Sequence, residues 1–167
     1  MNIDNNRILI IDDNPAIHED FRKILAAAAG SNNPAADAEE ILFGAASAPT
    51  PHGSFEVDSA FQGAEGLAKV QHALGAGRPY ALAFVDVRMP PGWDGIETIN
   101  HLWGAYPLLQ VVICTAYSDY SWSDIMGHLG GSDNLLILKK PFDNIEVLQL
   151  AHALTRKWAL AVESTRR

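Results

Sequence analysis

A single cysteine, Cys114, stands among 167 residues, which excludes an internal disulfide framework and any cysteine-rich zinc site. Basic side chains are scarce as well. Twelve Lys and Arg face 20 Asp and Glu, for a formal net charge of −8. Direct binding of nucleic acid, which normally needs a basic face, is therefore not expected. No apolar run approaches the roughly 20 residues of a membrane span. The start, Met1-Asn2-Ile3-Asp4, has neither the basic opening nor the apolar stretch of a signal peptide. A soluble, reducing, cytoplasmic setting is expected. A Walker loop, a Gly-x-Ser-x-Gly elbow and a dinucleotide fingerprint are all missing. The histidines, His18, His52, His72, His101, His128 and His152, form no close ligand spacing. His18-Glu19-Asp20 reads as an exposed helix face.

What the chain does have is apolar sequence. Hydrophobic residues make up 48% and charged residues 19%, a balance that argues against disorder and for a buried core. The length suits one domain, or one domain with an appendage. Charge is uneven along it. Residues 1–155 carry a net −11, whereas residues 156–167 carry a net +3 from Arg156, Lys157, Arg166 and Arg167 against Glu163.

Short apolar runs alternate with helix-period segments. Strands are expected at 7–11, 55–60, 80–85, 110–114 and 135–138, and apart from 55–60 they are near-continuous apolar runs of the kind buried on both faces. Asn14 before Pro15 predicts a cap and a first-turn proline for a helix over 15–29. Further helices are expected over 63–74, from Asp94 through Trp103, and near 119–129. Asp143 with Glu146 resembles a capping box opening a long final helix to about Thr165. Five βα units of this kind imply a parallel sheet covered on both faces. Residues 30–54 exceed what a helix-to-strand connection needs. Their prolines, Pro34, Pro49 and Pro51, mark an insertion, within which 35–43 could add a turn docked through Ile41, Leu42 and Phe43.

The polar residues at the strand ends carry the chemistry. Asp12 and Asp13 follow strand one, Asp86 follows strand three, Thr115 strand four and Lys140 strand five. In a parallel sheet all of these fall at one edge, where ligands of open α/β folds bind. Converging carboxylates need a cation, and oxygen-only donors suit a hard ion such as Mg²⁺. Taken singly, each residue has an ordinary role as cap, turn or punctuation; the ordered combination is more specific.

The segments ILIIDDN (8–14), FVDVRMPPGWDG (84–95), VVICTA (111–116) and LKKPFD (138–143) resemble the receiver domain of bacterial two-component response regulators of the chemotaxis-regulator type. The resemblance spans the chain from first strand to last helix. It implies a doubly wound five-stranded parallel sheet of flavodoxin-like order 2-1-3-4-5, interrupted by the insertion. It also implies Asp86 as phosphoacceptor, with Mg²⁺ held by Asp12, Asp13, Asp86 and the backbone carbonyl of Arg88. Thr115 and Lys140 would contact phosphoryl oxygens, and the Lys140–Pro141 bond would be cis. The partner would be a histidine kinase or histidine phosphotransfer protein, and the chain itself would turn over no small-molecule substrate. The aromatic switch residue that often lies three positions before the strand-five lysine is Ile137 here. Tyr117, Tyr120 and Trp122 offer another aromatic surface.

Two other readings compete with this one. An aspartate-nucleophile hydrolase of the haloacid-dehalogenase type would carry an Asp-x-Asp motif after strand one, where this chain has Asp12-Asp13-Asn14. A receiver-like module that binds partners unphosphorylated would be expected to lack a key residue. The expected organisation is a receiver domain over 1–154 and a helical extension over 155–167, leading to a cyclase, kinase or phosphodiesterase output domain. Ala151, Leu154, Trp158, Ala161 and Thr165 recur at coiled-coil spacing, which predicts a weak parallel homodimer through 154–165. Cys114, inside a buried strand, is expected to be inert.

Overall fold

A computed structural model describes residues 5–27, 55–116, 122–129 and 133–165. Its elements run β1 (Arg7–Ile11), α1 (Pro15–Ala27), β2 (Glu56–Ala60), α2 (Gly63–Gly75), β3 (Leu82–Asp86), α3 (Gly95–Ala105), β4 (Gln110–Thr115), α4 (Trp122–Leu129), β5 (Leu135–Lys139) and α5 (Asn144–Thr165). The strands form one parallel sheet in the order β2-β1-β3-β4-β5. Fold class and strand order agree with expectation. The 30–54 insertion, Tyr117 and Tyr120 lie outside the described residues. Among the described residues no helix is long and apolar enough to cross a membrane.

Side chains alternate across a strand, and this sorts the core into two layers. Leu9, Ile11, Ala83, Val85, Val111 and Ile113 face α2, α3 and α4, against Val70, Ile99, Leu102 and Ile125. Ile8, Ile10, Leu82, Phe84, Val112 and Leu138 face α1 and α5, against Phe21, Leu25, Val147, Ala151 and Leu154. Both layers are apolar, which is why the central strands read as unbroken hydrophobic runs rather than alternating ones.

The helix starts follow the local chemistry. The Asn14 side chain accepts from Ala16 N at 3.0 Å, and Asp94 accepts from Glu97 N at 2.8 Å to cap α3. Each satisfies an amide that the helix itself leaves unpaired. Tyr80 and Ala81, expected within strand three, precede it instead. The strand is shifted towards its carboxyl end so that Asp86 is its last residue.

Part of the stripe expected to form a coiled-coil seam is used inside the chain. Trp158 is 5% exposed and packs with Ala81 and Ala159 against Tyr106, Leu108 and Val162. Its indole Nε1 donates to the Tyr106 hydroxyl at 2.9 Å. Helix α5 continues unbroken through 154 to Thr165, and its apolar stripe is used on its own domain. Ala151 and Leu154 are buried too, so the first three residues of the expected seam are covered within one chain, whereas Ala161 is half-buried and Thr165 exposed.

Candidate functional site

The same alternation places the polar residues. Asp12 shares the parity of Ile10, Asp86 that of Phe84, and Lys140 that of Leu138, so all three continue the α1/α5 side of the sheet past its carboxyl edge. Lys140 Nζ lies 3.0 Å from Asp86 Oδ1 and 3.3 Å from Asp12 Oδ2. Asp12, Asp13 and Asp86 each offer a carboxylate oxygen within 4.8 Å of the others. The Asp12 side chain is 4% exposed, that of Asp86 12% and that of Lys140 24%, while Asp13 faces solvent.

Asp12 is tightly held. Its Oδ1 accepts from Asn14 N at 2.9 Å, and its own amide donates to Ala60 O at 3.1 Å. Burial raises the Asp86 carboxyl above its ordinary value and the charge of Asp12 adds to this, only partly countered by the Lys140 hydrogen bond. For Lys140, burial works against the charged form, but Asp12 and Asp86 outweigh it and the ammonium is held above its usual range. Three carboxylates against one such ammonium leave negative charge that a hard cation would compensate. All the clustered donors are carboxylate oxygens, the chemistry that Mg²⁺ prefers, so the residues present fit that ion.

Thr115 ends β4, is buried, and donates through Oγ1 to Ala116 O at 3.0 Å. Its carbonyl accepts from Lys140 N at 2.8 Å, which ties the β4 end to the lysine. Arg88 lies two residues beyond Asp86 in the β3–α3 loop, next to the fully covered Met89. Lys140–Pro141 is cis, as the resemblance implied, and so is Pro90–Pro91. Ile137 packs against the α2–α4 core layer, so an aliphatic core residue fills the aromatic-switch position. Cys114 is 2% exposed and burial pushes its thiol far up, in keeping with an inert cysteine.

Two features escaped the sequence reading. Trp93, in the loop after Asp86, stacks on His101 of α3 at 3.9 Å between ring centroids and 12° between planes. His18, expected on an exposed face, is 4% exposed, although Glu19 and Asp20 do face solvent. Its spacing was the available signal: Phe21 and Leu25, three and seven positions on, share its side of α1.

The raised Asp86 value has a consequence for stability. In the unfolded chain Asp86 titrates near its ordinary 3.8, so between that pH and the higher native value the folded state binds more protons. Stability contributed at this site therefore falls as pH rises through that window. Asp86→Asn is expected to stabilise the metal-free protein at pH 7 by on the order of 1 kcal/mol, or roughly 2–4 °C in Tm. The difference should vanish below the ordinary carboxylate range. Thermal melts of both proteins across pH check this, and a variant less stable than wild type at pH 7 would contradict it.

No family model matches the chain and no curated protein matches it. Solved structures do. An adenylate cyclase structure from Rhodopirellula baltica is 20% identical with a TM-score of 0.71, over 97% of this chain and 96% of that one. A CheY-like response regulator receiver domain protein from Methanospirillum hungatei JF-1 is 22% identical with a TM-score of 0.63, over 92% and 96%. A two-component transcriptional regulator AraC from Clostridium phytofermentans ISDg is 24% identical with a TM-score of 0.61, over 93% and 95%. The chain has the receiver-domain fold.

Proposed function

We propose that this chain is the phosphoacceptor receiver of a two-component signalling system, taking a phosphoryl group from a phosphohistidine onto Asp86. The observation that carries the reading is Lys140 Nζ bridging Asp86 and Asp12 at the carboxyl edge of the sheet, with Asp13 in the same cluster. Asp12, Asp13, Asp86 and the Arg88 carbonyl would hold Mg²⁺, which when bound supplies positive charge to the phosphoryl oxygens.

The chain's own residues account for the remaining chemistry. An Asp86 carboxylate oxygen attacks phosphorus in line, the P–N bond to the donor imidazole breaks, and an aspartyl-phosphate forms. The released imidazole nitrogen takes its proton from solvent. Lys140, already paired with Asp86, moves its charge onto the incoming phosphoryl oxygens, and the Thr115 hydroxyl can rotate from Ala116 O to donate to another. Asp12, fixed by Asn14, remains as the lysine's second partner. Water later cleaves the acyl phosphate and resets the site.

A hydrolase of the dehalogenase type would use the carboxylate after β1 as nucleophile. Here Lys140 pairs with both Asp12 and Asp86, but Asp12 is tied in addition through Oδ1 to Asn14 N, so the carboxylate at the end of β3 is the better placed. The phosphoryl donor would be a histidine kinase or histidine phosphotransfer protein. An output domain of cyclase, kinase or phosphodiesterase type would receive the signal.

Incubation with acetyl phosphate and Mg²⁺ tests the reading by intact mass. One acid-stable, alkali-labile phosphoryl group per chain is expected, with no uptake in EDTA. Sustained turnover of small phosphoesters without a stable adduct would favour the hydrolase instead.

A further inference from the structure

His18 is a buried imidazole that the phosphotransfer chemistry above does not use. It lies in the second turn of α1, and both of its ring nitrogens are engaged. Nε2 is 2.8 Å from the backbone carbonyl oxygen of Asp12, and Nδ1 is 2.8 Å from Ser59 Oγ at the end of β2. Arg22, one helical turn on, reaches the same hydroxyl with a guanidinium nitrogen at 2.5 Å. The Phe61 ring closes over the imidazole at 4.5 Å between centroids.

The direction of these bonds follows from donor and acceptor capacity. A carbonyl oxygen can only accept, so His18 Nε2 carries a proton. A guanidinium can only donate, so Ser59 Oγ accepts from Arg22 and its single hydrogen is free to go to Nδ1. Arg22, Ser59, His18 and the Asp12 carbonyl thus form one chain of donors, from an exposed cation on α1 to the main chain between the two acidic residues.

That carbonyl belongs to the peptide unit joining Asp12 to Asp13. Its orientation is set by the Asp12 ψ angle, and rotating it swings the Cα–Cβ bond of Asp13. Asp12 has side-chain and amide anchors of its own. The carboxylate of Asp13 lies at the solvent edge of the cluster, so the peptide plane behind it matters more.

We propose that His18 is a positioning residue for the acidic cluster: by donating from Nε2 to the Asp12 carbonyl it fixes the peptide plane that aims Asp13 at the cation. This inference rests on the phosphoacceptor reading for its purpose, but its measurement does not need phosphorylation. Partners that orient a metal-binding group from behind typically change metal affinity by 10–100-fold when lost.

Glutamine can present an amide N–H close to the place of Nε2, whereas asparagine reaches only as far as Nδ1. His18→Gln should therefore keep Mg²⁺ affinity within about threefold of wild type, while His18→Asn and His18→Leu should lose about tenfold or more. Both polar variants give up the ring contact with Phe61, so lost packing alone predicts equal defects. Mg²⁺ affinity is read from tryptophan fluorescence, with Trp93 in the loop beside the site. Independently of any variant's folding, ¹⁵N NMR of the metal-free wild type should show His18 protonated at Nε2, as its contact with a carbonyl oxygen requires.

Equal affinities for the Gln and Asn variants, wild-type affinity in His18→Leu, or a proton on Nδ1 alone would each overturn the assignment. A wild-type chain that binds Mg²⁺ but takes up no phosphoryl group would overturn the phosphoacceptor reading and leave the role of His18 to the affinity series.

Discussion

Asp86→Asn is expected to abolish phosphoryl uptake, slowing it by at least about 10³-fold, as removal of a nucleophile typically does. The amide has nearly the shape of the carboxylate but no anionic oxygen to form the acyl phosphate. The neighbouring acids are poor substitutes. Both oxygens of Asp12 are occupied, by Asn14 N and by Lys140 Nζ, and Asp13 is displaced towards solvent. The lysine would keep its bond to Asp12, so the frame of the site should persist. Because the same substitution removes a buried charge and its repulsion by Asp12 in the resting protein, the inactive variant should melt higher than the active wild type. Opposite movement of stability and activity separates loss of a nucleophile from loss of fold. Intact mass after timed incubation with acetyl phosphate and Mg²⁺ checks it. A variant that gained a phosphoryl group at the wild-type rate would remove Asp86 from its proposed role.

The second large effect lies in the main chain beneath that residue. A Cβ added at Gly95 would sit 2.5 Å from the Asp86 carbonyl oxygen and 2.8 Å from Val87 Cα. Both are backbone atoms, and neither can rotate out of the way. The close approach is itself stabilising, since Gly95 N donates to Val87 O at 2.8 Å. Gly95→Ala must therefore push the start of α3 off the end of β3, at about 2–4 kcal/mol or roughly 5–15 °C in Tm. Other glycines give an internal scale. At Gly66 the new methyl would meet the terminal atoms of the Ile11 side chain, which can adjust, so a loss of about 1 kcal/mol is expected. At Gly104, inside α3, nothing lies within 4 Å, and alanine should stabilise by about 0.5–1 kcal/mol. Denaturant melts of the three variants should rank in that order. Equal stability of Gly95→Ala and Gly104→Ala would refute the steric account.

Asp12, Asp86, Thr115 and Lys140 were legible in the sequence because each ends an apolar run, and parallel pairing sends every such end to the same edge. The run lengths identified the strands, but the exit point of each chain depends on pairing register. This is why strand three was expected two residues early, and why only the structure places Asp86 within β3. His18 was misread because its neighbours Glu19 and Asp20 suggested a wet surface. Its burial depends on Ser59, 41 residues away, a partner that no local window contains. Trp158 failed for a related reason. Heptad-like spacing in α5 identifies a stripe that will be covered but not what covers it, and the cover is Ala81, Tyr106 and Leu108. Long-range contacts of this kind decide whether a stripe becomes an interface or part of the core.

The lone cysteine lends itself to one more use. Cys114 lies in the central part of the sheet, between β3 and β5, with its thiol 2% exposed and held in the unreactive protonated form. Its side chain lies in the core layer beneath α1 and α5, so a disulfide reagent can reach it only when that layer opens, and the rate of thiol modification becomes a clock for the opening of the core. With one thiol in the sequence, that clock has a single hand. Its rate reports opening free energy where reclosing outpaces labelling, and opening rate where it does not. The effect of a cation or a phosphoryl group on that layer could thus be timed with the native thiol, without introducing a probe into the site.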